Sequence, residues 1–262
     1  MKKTMKGGRT LNNKEKYGIS ALEYEVTDST NEQAKLYAKS NDINEPILFI
    51  AEEQTNGRGR YSRKFYSKKG AGVYLSLLFK PDFTTISTAS VIALSAISMI
   101  KAINKQIKAD VKIKWVNDLI LGERKLGGIL IEGAINPQSQ RYDYLIAGIG
   151  VNLYATQRNE EIDNIATSLE EQCGKKIDKE ILVKSFVKHF LDGLSNLDNE
   201  DLFADYKSRL ITLNKRVTVK NLTEEYEAFA TDLNRDYSLL VTTPTREQKR
   251  IFTGEVSVKV SN

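Results

Sequence analysis

A long irregular stretch between two strand-like segments constrains the fold of this chain most. Residues Gln54 to Arg63 read QTNGRGRYSR, with two glycines and three arginines. Apolar runs at 47–51 and 73–79 flank this stretch, and a connection of about twenty residues between buried strands is usually functional or disordered. Glycine lets a backbone approach a ligand closely, and arginine offers fixed donors to anionic oxygens. We therefore predict a loop that closes over a negatively charged ligand.

The positive charge of the chain lies at its N-terminus. The formal net charge is +5. Residues 1–16 carry all of it, with one acidic side chain, Glu15, against the basic side chains Lys2, Lys3, Lys6, Arg9, Lys14 and Lys16. Such a tail could touch nucleic acid or anionic lipid, but we expect residues 1–20 to be a disordered end without a secretory signal. The neutral remainder argues against nucleic-acid binding, which needs a basic face.

The single cysteine and the single histidine restrict the chemistry. Cys173 alone leaves neither an internal disulfide nor a cysteine metal site. His189 would have to serve any Ser-His-Asp triad, yet it lies in an apolar helical pattern over 181–191, so we expect it to be structural. The reaction should depend on Lys, Arg, Asp, Glu, Gln and Asn side chains, which favours charge stabilisation. The pattern identifies no metal ligands.

The order of the predicted elements indicates an α+β fold. Apolar alternation predicts strands at 22–26, 47–51, 73–80, 111–115, 118–121, 126–132 and 142–149. Helical patterns follow a Ser29-x-x-Glu32 capping box, Ser87 and Asp178, and a further helix covers 200–210. Consecutive strands joined by short turns, such as Gly122 to Lys125, imply a largely antiparallel sheet with helices on one side.

A change in composition near residue 212 predicts a domain boundary. After Leu213 the chain reads as short strands at 216–220, 225–231, 237–242 and 251–260, a pattern typical of a small β-barrel. We therefore expect three parts: a tail at 1–20, a main domain at 21–211 and a small C-terminal barrel at 212–262.

Three further polar clusters lie at strand ends or turns, where a rigid scaffold presents side chains well: residues 29–31, residues 114–118 with 124–128, and residues 148–152. Ser29-Thr30-Asn31 either cap a helix or bind a ligand, and the sequence favours neither. Asp118 and Lys125 flank one hairpin and can face one site; as a surface ion pair they would add only about 0–1 kcal/mol. Gly127-Gly128 indicates close backbone approach to a ligand, or tight packing against the long helix.

The glycine loop matches neither common phosphate-binding motif. No Gly-Lys-Ser/Thr follows it at Walker A spacing, and no Gly-x-Gly-x-x-Gly opens a helix. By itself, Gly-Arg-Gly-Arg could also contact nucleic-acid phosphates.

The clusters taken together, in their order, resemble the biotin protein ligase family from about residue 22 to 155. The matching segments are Ser29-Thr30-Asn31, Gln54-x-x-Gly57-Arg58-Gly59-Arg60-x-x-Arg63, Gly72 to Leu77, Lys114-Trp115-x-Asn117-Asp118, Arg124-Lys125-Leu126-x-Gly128-Ile129-Leu130-x-Glu132 and Gly148-Ile149-Gly150-x-Asn152. A weaker match continues to Gly254-Glu255-Val256-Ser257.

The resemblance implies a class II synthetase-like catalytic domain followed by an SH3-like barrel. It also implies a two-step, Mg²⁺-dependent reaction: ATP activates biotin as biotinyl-5′-AMP, which then passes to a lysine of a biotin carboxyl carrier protein. We expect a cytoplasmic enzyme, possibly a homodimer, that binds neither membrane nor nucleic acid. About twenty residues precede the first strand, too few for an operator-binding domain.

The resemblance implies roles for the residues that occupy the matching motif positions. Lys125, Arg58 and Arg60 would act on the phosphates, and Asp118 would orient or receive the proton of the acceptor lysine. The substrate-binding residues would be Ser29, Thr30, Asn31, Gln54, Gly57, Arg58, Gly59, Arg60, Arg63, Lys125, Gly128 and Asn152.

The chain departs from the family pattern at three places. Val116 replaces a common proline, Phe65 replaces a common tryptophan, and Tyr61-Ser62 fill a part of the loop where glycine is common. A lipoate-type ligase of related fold is the main alternative, but that family relies on a characteristic histidine and an Arg-Arg-x-Ser-Gly-Gly-Gly loop. This chain lacks that loop, and its single histidine, His189, lies far from the glycine loop. A nucleic-acid-binding module is the second alternative.

Overall fold

The computed structural model describes residues 9–11, 14–81, 87–156, 158, 160–221 and 224–258. Part of the predicted disordered tail is ordered: Arg9–Leu11 form strand β1 and Lys14–Tyr17 form helix α1. Strand β1 pairs with the next strand, and Tyr17 is buried in the main core, so this prediction is wrong for these residues. Residues 1–8, 12 and 13 lie outside the described residues.

The main sheet has eight strands in the order β1-β2-β3-β4-β8-β7-β6-β5. The strands after β1 are β2 (Ser20–Thr27), β3 (Ile47–Gln54), β4 (Gly72–Phe79), β5 (Lys112–Lys114), β6 (Asp118–Leu121), β7 (Arg124–Ile135) and β8 (Tyr142–Asn152). Strands β2 and β3 pair in parallel, and the other neighbours pair antiparallel. The predicted α+β class with a largely antiparallel sheet is therefore confirmed.

The turn between β6 and β7 is shorter than predicted. It comprises Gly122 and Glu123, and Gly122 has a φ of +62°, a conformation that glycine adopts without steric cost. Arg124 and Lys125 consequently belong to β7, so Lys125 is held by a strand.

Helices cover both faces of the main sheet. They are α2 (Thr30–Ala38), α3 (Thr88–Asn104), α4 (Glu160–Asp163), α5 (Leu169–Cys173), α6 (Lys179–Leu194) and α7 (Glu200–Ser208). Along β3, Leu48 and Ile50 join the large core that contains α3 and α6, whereas Phe49 joins a second cluster with Ala34 of α2. The expectation that all helices lie on one side is wrong for α2, because consecutive buried residues of β3 point to opposite faces.

The C-terminal part forms a second antiparallel sheet in the order β12-β11-β10-β9-β13. Its strands are β9 (Lys215–Lys220), β10 (Glu225–Leu233), β11 (Leu239–Thr242), β12 (Gln248–Ile251) and β13 (Glu255–Val258). The single strand predicted at 251–260 is therefore the end of β12, a turn and β13; residues 259 and 260 lie outside the described residues. Apolar residues of this sheet belong to the same large core cluster as the main sheet.

Aromatic residues join the two sheets. The indole nitrogen of Trp115 donates to the carbonyl of Tyr237 at 3.0 Å, and the hydroxyl of Tyr206 donates to the carbonyl of Val116 at 2.7 Å. Tyr206 is fully buried, and its ring lies 5.5 Å from that of Tyr237. Among the described residues, no helix has both the length and the apolar composition to cross a membrane.

We predict that Tyr206→Phe lowers the free energy of unfolding by about 1–3 kcal/mol, because it leaves the buried Val116 carbonyl without its donor. Urea unfolding would measure the loss. Tyr226→Phe, at a half-buried tyrosine of β10, is the matched control and should change stability by less than about 0.5 kcal/mol. Equal stability of Tyr206→Phe and the parent would contradict the prediction.

Candidate active site

One cavity of about 960 Å³ lies between the glycine loop, the start of α2, strands β6 to β8, the segment after β8 and the C-terminal sheet. Nearly all the residues predicted from the sequence line it: Ser29, Thr30, Asn31, Gln54, Arg58, Gly59, Arg60, Arg63, Asp118, Lys125, Gly128 and Asn152. Gly57 does not. A Cβ there would lie 2.5 Å from the carbonyl of Phe65 and 2.7 Å from Ser67 Oγ, so Gly57 serves the internal packing of the loop.

Uncharged polar groups form the floor of the cavity at the start of α2. Thr30 and Asn31 are 3% and 4% exposed. Gln54 Oε1 accepts from the backbone nitrogen of Thr30 at 2.8 Å. Ser76 Oγ lies 2.7 Å from Thr30 Oγ1 and 2.5 Å from Asn31 Oδ1. This end of the cavity can therefore hold a neutral polar group.

The predicted capping box is wrong. The Ser29 side chain makes no capping hydrogen bond, and Glu32 pairs with Lys35 at 2.8 Å and with Arg58 at 3.0 Å. Gln54 from β3 instead accepts the N–H group of Thr30 in the first turn of α2. The start of α2 is thus fixed by a residue that also lines the cavity.

Glycines of β8 make room for side chains above the sheet. A Cβ at Gly148 would lie 2.8 Å from both Cγ and Nδ2 of Asn31, and one at Gly150 would lie 2.7 Å from Cζ of Phe65. Real Cβ atoms do not approach so closely. Asn31 and Phe65 can therefore reach the floor of the cavity only because these two positions lack a side chain.

The adjacent glycines Gly127 and Gly128 of β7 have different roles. A Cβ at Gly127 would overlap the carbonyl of Gly150 on β8, so the neighbouring strand, rather than the long helix, requires glycine there. A Cβ at Gly128 would lie 3.5 Å from Lys125 Nζ and 3.6 Å from Asp118 Oδ1, so Gly128 faces the cavity.

Asp118 and Lys125 form the ion pair that the hairpin predicts. Lys125 Nζ lies 2.6 Å from Asp118 Oδ1, and the two side chains are 37% and 25% exposed. A register shift in β6–β7 pairing between Leu119 and Ile120 accompanies this arrangement. The backbone N–H of Lys125 also donates to the carbonyl of Ile165 at 2.8 Å, which ties β7 to the segment after β8.

The glycine loop folds back on itself. The backbone nitrogen of Gly59 donates to the carbonyl of Arg63 at 2.7 Å, and that of Phe65 donates to the carbonyl of Gly57 at 2.8 Å. Tyr61 and Ser62 have φ values of 56° and 58°, in the left-handed region that favours glycine. Tyr61 and Ser62, which fill the part of the loop where the family commonly has glycine, thus adopt a backbone conformation that glycine adopts more easily.

Two loop arginines reach the C-terminal sheet. Arg60 donates to Asn117 Oδ1 at 3.3 Å and to the carbonyl of Gly254 at 3.2 Å, and Arg63 pairs with Glu255. The hydrogen bond from Arg63 lowers the pKa of Glu255 from its ordinary value of 4.5. The C-terminal sheet therefore forms one wall of the cavity and anchors the loop.

The sequence did not indicate the segment after β8 as a cavity wall. Asn152 Nδ2 donates to the carbonyl of Thr167 at 3.0 Å, and Ile162, Ile165 and Ala166 line the cavity with Arg158. The Arg158 side chain is 2% exposed and pairs with Glu171 at 2.9 Å. No spacing or motif in the sequence predicts that Arg158 lines the cavity, because its position depends on the packing of α5, which carries its partner Glu171.

The single histidine, which we expect to be structural, lies outside the cavity. His189 is on α6 and does not line the cavity; burial lowers its pKa. Within the described part of the chain, no three His, Cys, Asp or Glu side chains group as a metal site.

The sequence and the fold of this chain are both similar to those of known biotin ligases. Residues 23–152 match the family model described as the biotin/lipoate A/B protein ligase family. The chain belongs to this family. A solved biotin protein ligase from Aquifex aeolicus in complex with biotin and ATP superposes with a TM-score of 0.78 at 26% identity, covering 92% of this chain and 99% of that one.

Curated relatives give the same family. The bifunctional ligase/repressor BirA of Bacillus subtilis is 32% identical over 185 residues, which is 68% of this chain but 56% of the relative. The biotin–[acetyl-CoA-carboxylase] ligase of Mycobacterium tuberculosis is 28% identical over 200 residues, 74% of this chain and 72% of the relative. The match thus spans little more than half the length of the first of these relatives.

We predict that Glu255→Gln frees Arg63 and loosens the glycine loop. Amide hydrogen exchange of residues 57–65 should become severalfold faster, while stability changes by less than about 1 kcal/mol, because the pair is partly exposed. Glu247→Gln, at a carboxylate of the same part of the chain 3.9 Å from Lys249, is the control. Unchanged exchange in Glu255→Gln would contradict the anchoring role.

Low pH should have the same effect as this substitution. Because the folded-state pKa of Glu255 is lowered, its contribution is complete above the ordinary value near 4.5 and disappears as the pH falls through the lowered value. The protection of residues 57–65, measured relative to the intrinsic exchange rate at each pH, should therefore fall with acid more in the parent than in Glu255→Gln. An equal fall in both proteins would assign the effect to other groups.

Proposed function

We propose that this protein activates biotin with ATP as biotinyl-5′-AMP and transfers the biotinyl group to a lysine of a biotin carboxyl carrier protein. One observation carries the proposal: a buried, uncharged polar pocket at Thr30, Asn31 and Gln54 lies in the same cavity as the cations Arg58, Arg60 and Lys125. A neutral ureido ring fits the first part, and a phosphate fits the second.

The first step develops negative charge on phosphate oxygens. A carboxylate oxygen of biotin attacks the α-phosphorus of ATP, and pyrophosphate leaves with the electrons of the broken P–O bond. Preorganised cations and N–H donors at such oxygens are usually the largest catalytic contribution. Lys125 is held by Asp118 at 2.6 Å and Arg60 by Asn117 and Gly254, so both charges are positioned before substrate arrives.

The second step needs an acceptor lysine that has lost its proton. Its amine attacks the carbonyl carbon of the mixed anhydride, an amide bond forms, AMP leaves, and the amine gives up a proton. Asp118 is the cavity carboxylate beside Lys125 that can orient or receive this proton. The loop at 57–65, anchored on the C-terminal sheet, would keep water from the reactive adenylate.

Magnesium fits this site as a companion of ATP. Mg²⁺ is commonly held by one or two carboxylates together with substrate phosphates and water. Asp118 and Glu123 line the cavity from opposite ends of β6, so one of these carboxylates, rather than both, would hold the ion together with the phosphates. When bound, it would neutralise phosphate charge.

We infer the finer architecture and the partners from the same resemblance. The C-terminal strands would form an SH3-like barrel, and the domain boundary would lie near residue 212. The acceptor would be the carrier domain of a carboxylase, as the name of the Mycobacterium tuberculosis relative suggests. A cytoplasmic location, a possible homodimer and the absence of nucleic-acid binding stay predictions.

Lipoate ligation is the second candidate, since the matching family model covers biotin and lipoate ligases. The decisive experiment incubates the protein with ATP, Mg²⁺ and a carrier domain, with biotin or with lipoate, and measures the mass of the carrier. We expect a gain of one biotinyl group with biotin alone. A gain only with lipoate would favour the second candidate, and salt-sensitive RNA binding without ligation would contradict both.

We predict that Lys125→Ala keeps the fold but lowers the rate of biotin-dependent pyrophosphate release by roughly 10²–10³-fold, the loss typical of one oxyanion-stabilising donor. Lys112→Ala is the matched control, because Lys112 lies on β5 at the edge of the same sheet, pairs with Asp110 and does not line the cavity. Unchanged pyrophosphate release in Lys125→Ala would contradict the assigned role.

We also predict that Gly148→Ala weakens biotin binding at least tenfold, because the added Cβ would displace the amide of Asn31 and one or more hydrogen bonds would be lost. Isothermal titration with biotin would measure the change. Gly174→Ala is the control and should leave biotin affinity unchanged, since no atom lies within 4 Å of a Cβ there and Gly174 does not line the cavity. Equal biotin affinity of Gly148→Ala and the parent would exclude Asn31 from the site.

A further inference from the structure

Glu132 lies behind Asn31 and does not line the cavity. Its Oε2 accepts from Asn31 Nδ2 at 2.6 Å, and its Oε1 accepts from Lys35 Nζ at 2.7 Å. Although partial burial lowers it, hydrogen bonds to Glu132 and Glu32 raise the pKa of Lys35. Glu132 thus sits between a charged donor and the buried amide of Asn31.

This contact fixes the orientation of the Asn31 amide. An ionised carboxylate only accepts hydrogen bonds, so the NH₂ group of Asn31 must face Glu132 and its oxygen must face Ser76. Ser76 Oγ, 2.5 Å from Asn31 Oδ1, must then donate its hydroxyl proton to that oxygen. The charge on Glu132 therefore determines the direction of the hydrogen bond between Ser76 and Asn31, although Glu132 itself contacts only Asn31 in this chain of hydrogen bonds.

The consequence extends to Thr30. With its own proton given to Asn31, Ser76 can only accept at Thr30 Oγ1, 2.7 Å away. The hydroxyl proton of Thr30 then has to point to Ser76, because two oxygens 2.7 Å apart need a proton between them, and Gln54 Oε1 still accepts the backbone N–H of Thr30. Thr30 Oγ1 therefore has no proton left for a ligand and presents lone pairs to the cavity.

We propose that Glu132 is a positioning residue that sets the hydrogen-bond polarity of the pocket floor, so that Thr30 accepts a hydrogen bond from an N–H group of the substrate. The proposal rests on the proposed function, in which this N–H group belongs to the ureido ring of biotin. Glu132 acts through Asn31 and Ser76 and touches no substrate.

Lys35 makes the proposal testable, because it can only donate. In Glu132→Gln, the new amide must turn its oxygen to Lys35 and its NH₂ group to Asn31. Asn31 then has to turn its own oxygen toward residue 132 and its NH₂ group toward Ser76. Ser76 becomes the acceptor there and gives its proton to Thr30 Oγ1. This occupies one lone pair of Thr30 and leaves its own hydroxyl proton free to point to Gln54 Oε1 or to the ligand, so Thr30 becomes a poorer acceptor for an N–H group.

The experiment compares the parent with Glu132→Gln, Lys35→Met and the double variant in biotin-dependent pyrophosphate release. Glu132→Gln should raise the KM for biotin about tenfold, the factor expected from one hydrogen bond, with the KM for ATP and kcat within about twofold of the parent. Lys35→Met should stay near the parent in all three. The double variant should recover most of the biotin KM, because its glutamine can turn its oxygen to Asn31.

Each outcome separates a polarity effect from a merely structural one. An unchanged biotin KM in Glu132→Gln, or a double variant as impaired as Glu132→Gln, would overturn the inference. Equal damage in Lys35→Met and Glu132→Gln, with matching losses in thermal stability, would assign the effect to the ion pair and would also overturn it. A parent that forms no biotinyl adenylate would contradict the proposed function and, with it, the ureido assignment.

Discussion

The site depends on the absence of side chains along β8. Gly148 and Gly150 leave the surface of the sheet bare, and Asn31 from α2 and Phe65 from the glycine loop fill the space above them. Two segments far apart in the sequence are therefore seated on one strand, and the cavity lies between them. Any larger residue at these two positions would separate the polar floor from the loop that covers it.

Local pattern accounts for most of the architecture. The alternating strands, the long helix after Ser87 and the antiparallel order could be predicted because each is encoded within a window of ten to twenty residues. The antiparallel order by itself suggests that all helices lie on one side of the sheet. The five consecutive buried residues at 47–51 contradict this, because they point alternately to both faces. Such a run requires cover on both faces of the sheet, and α2 provides the second.

The candidate site was predictable where its residues come from motifs at strand ends, as for Lys125, Asp118 and Asn152. It was not predictable where a contact crosses the whole chain. Glu255 is separated from Arg63 by 192 residues, and nothing local marks a carboxylate on an edge strand as the anchor of a distant loop. Likewise the first turn of α2 is satisfied by Gln54 rather than by a capping box, because the amide of Gln54 at the end of β3 already lies within reach.

Charge and polarity are divided in a way that suits a two-part ligand. The cations Arg58 and Lys125 each have a carboxylate partner, Glu32 and Asp118, so their side chains are oriented before a phosphate arrives. The uncharged floor uses the opposite arrangement, since a carboxylate outside the cavity orients neutral donors and acceptors inside it. A buried ion at the floor would pay a desolvation cost that a neutral ureido ring could not offset. Placing Glu132 behind Asn31, where Lys35 compensates it, directs the hydrogen bonds of the floor without exposing a charge to that end of the ligand.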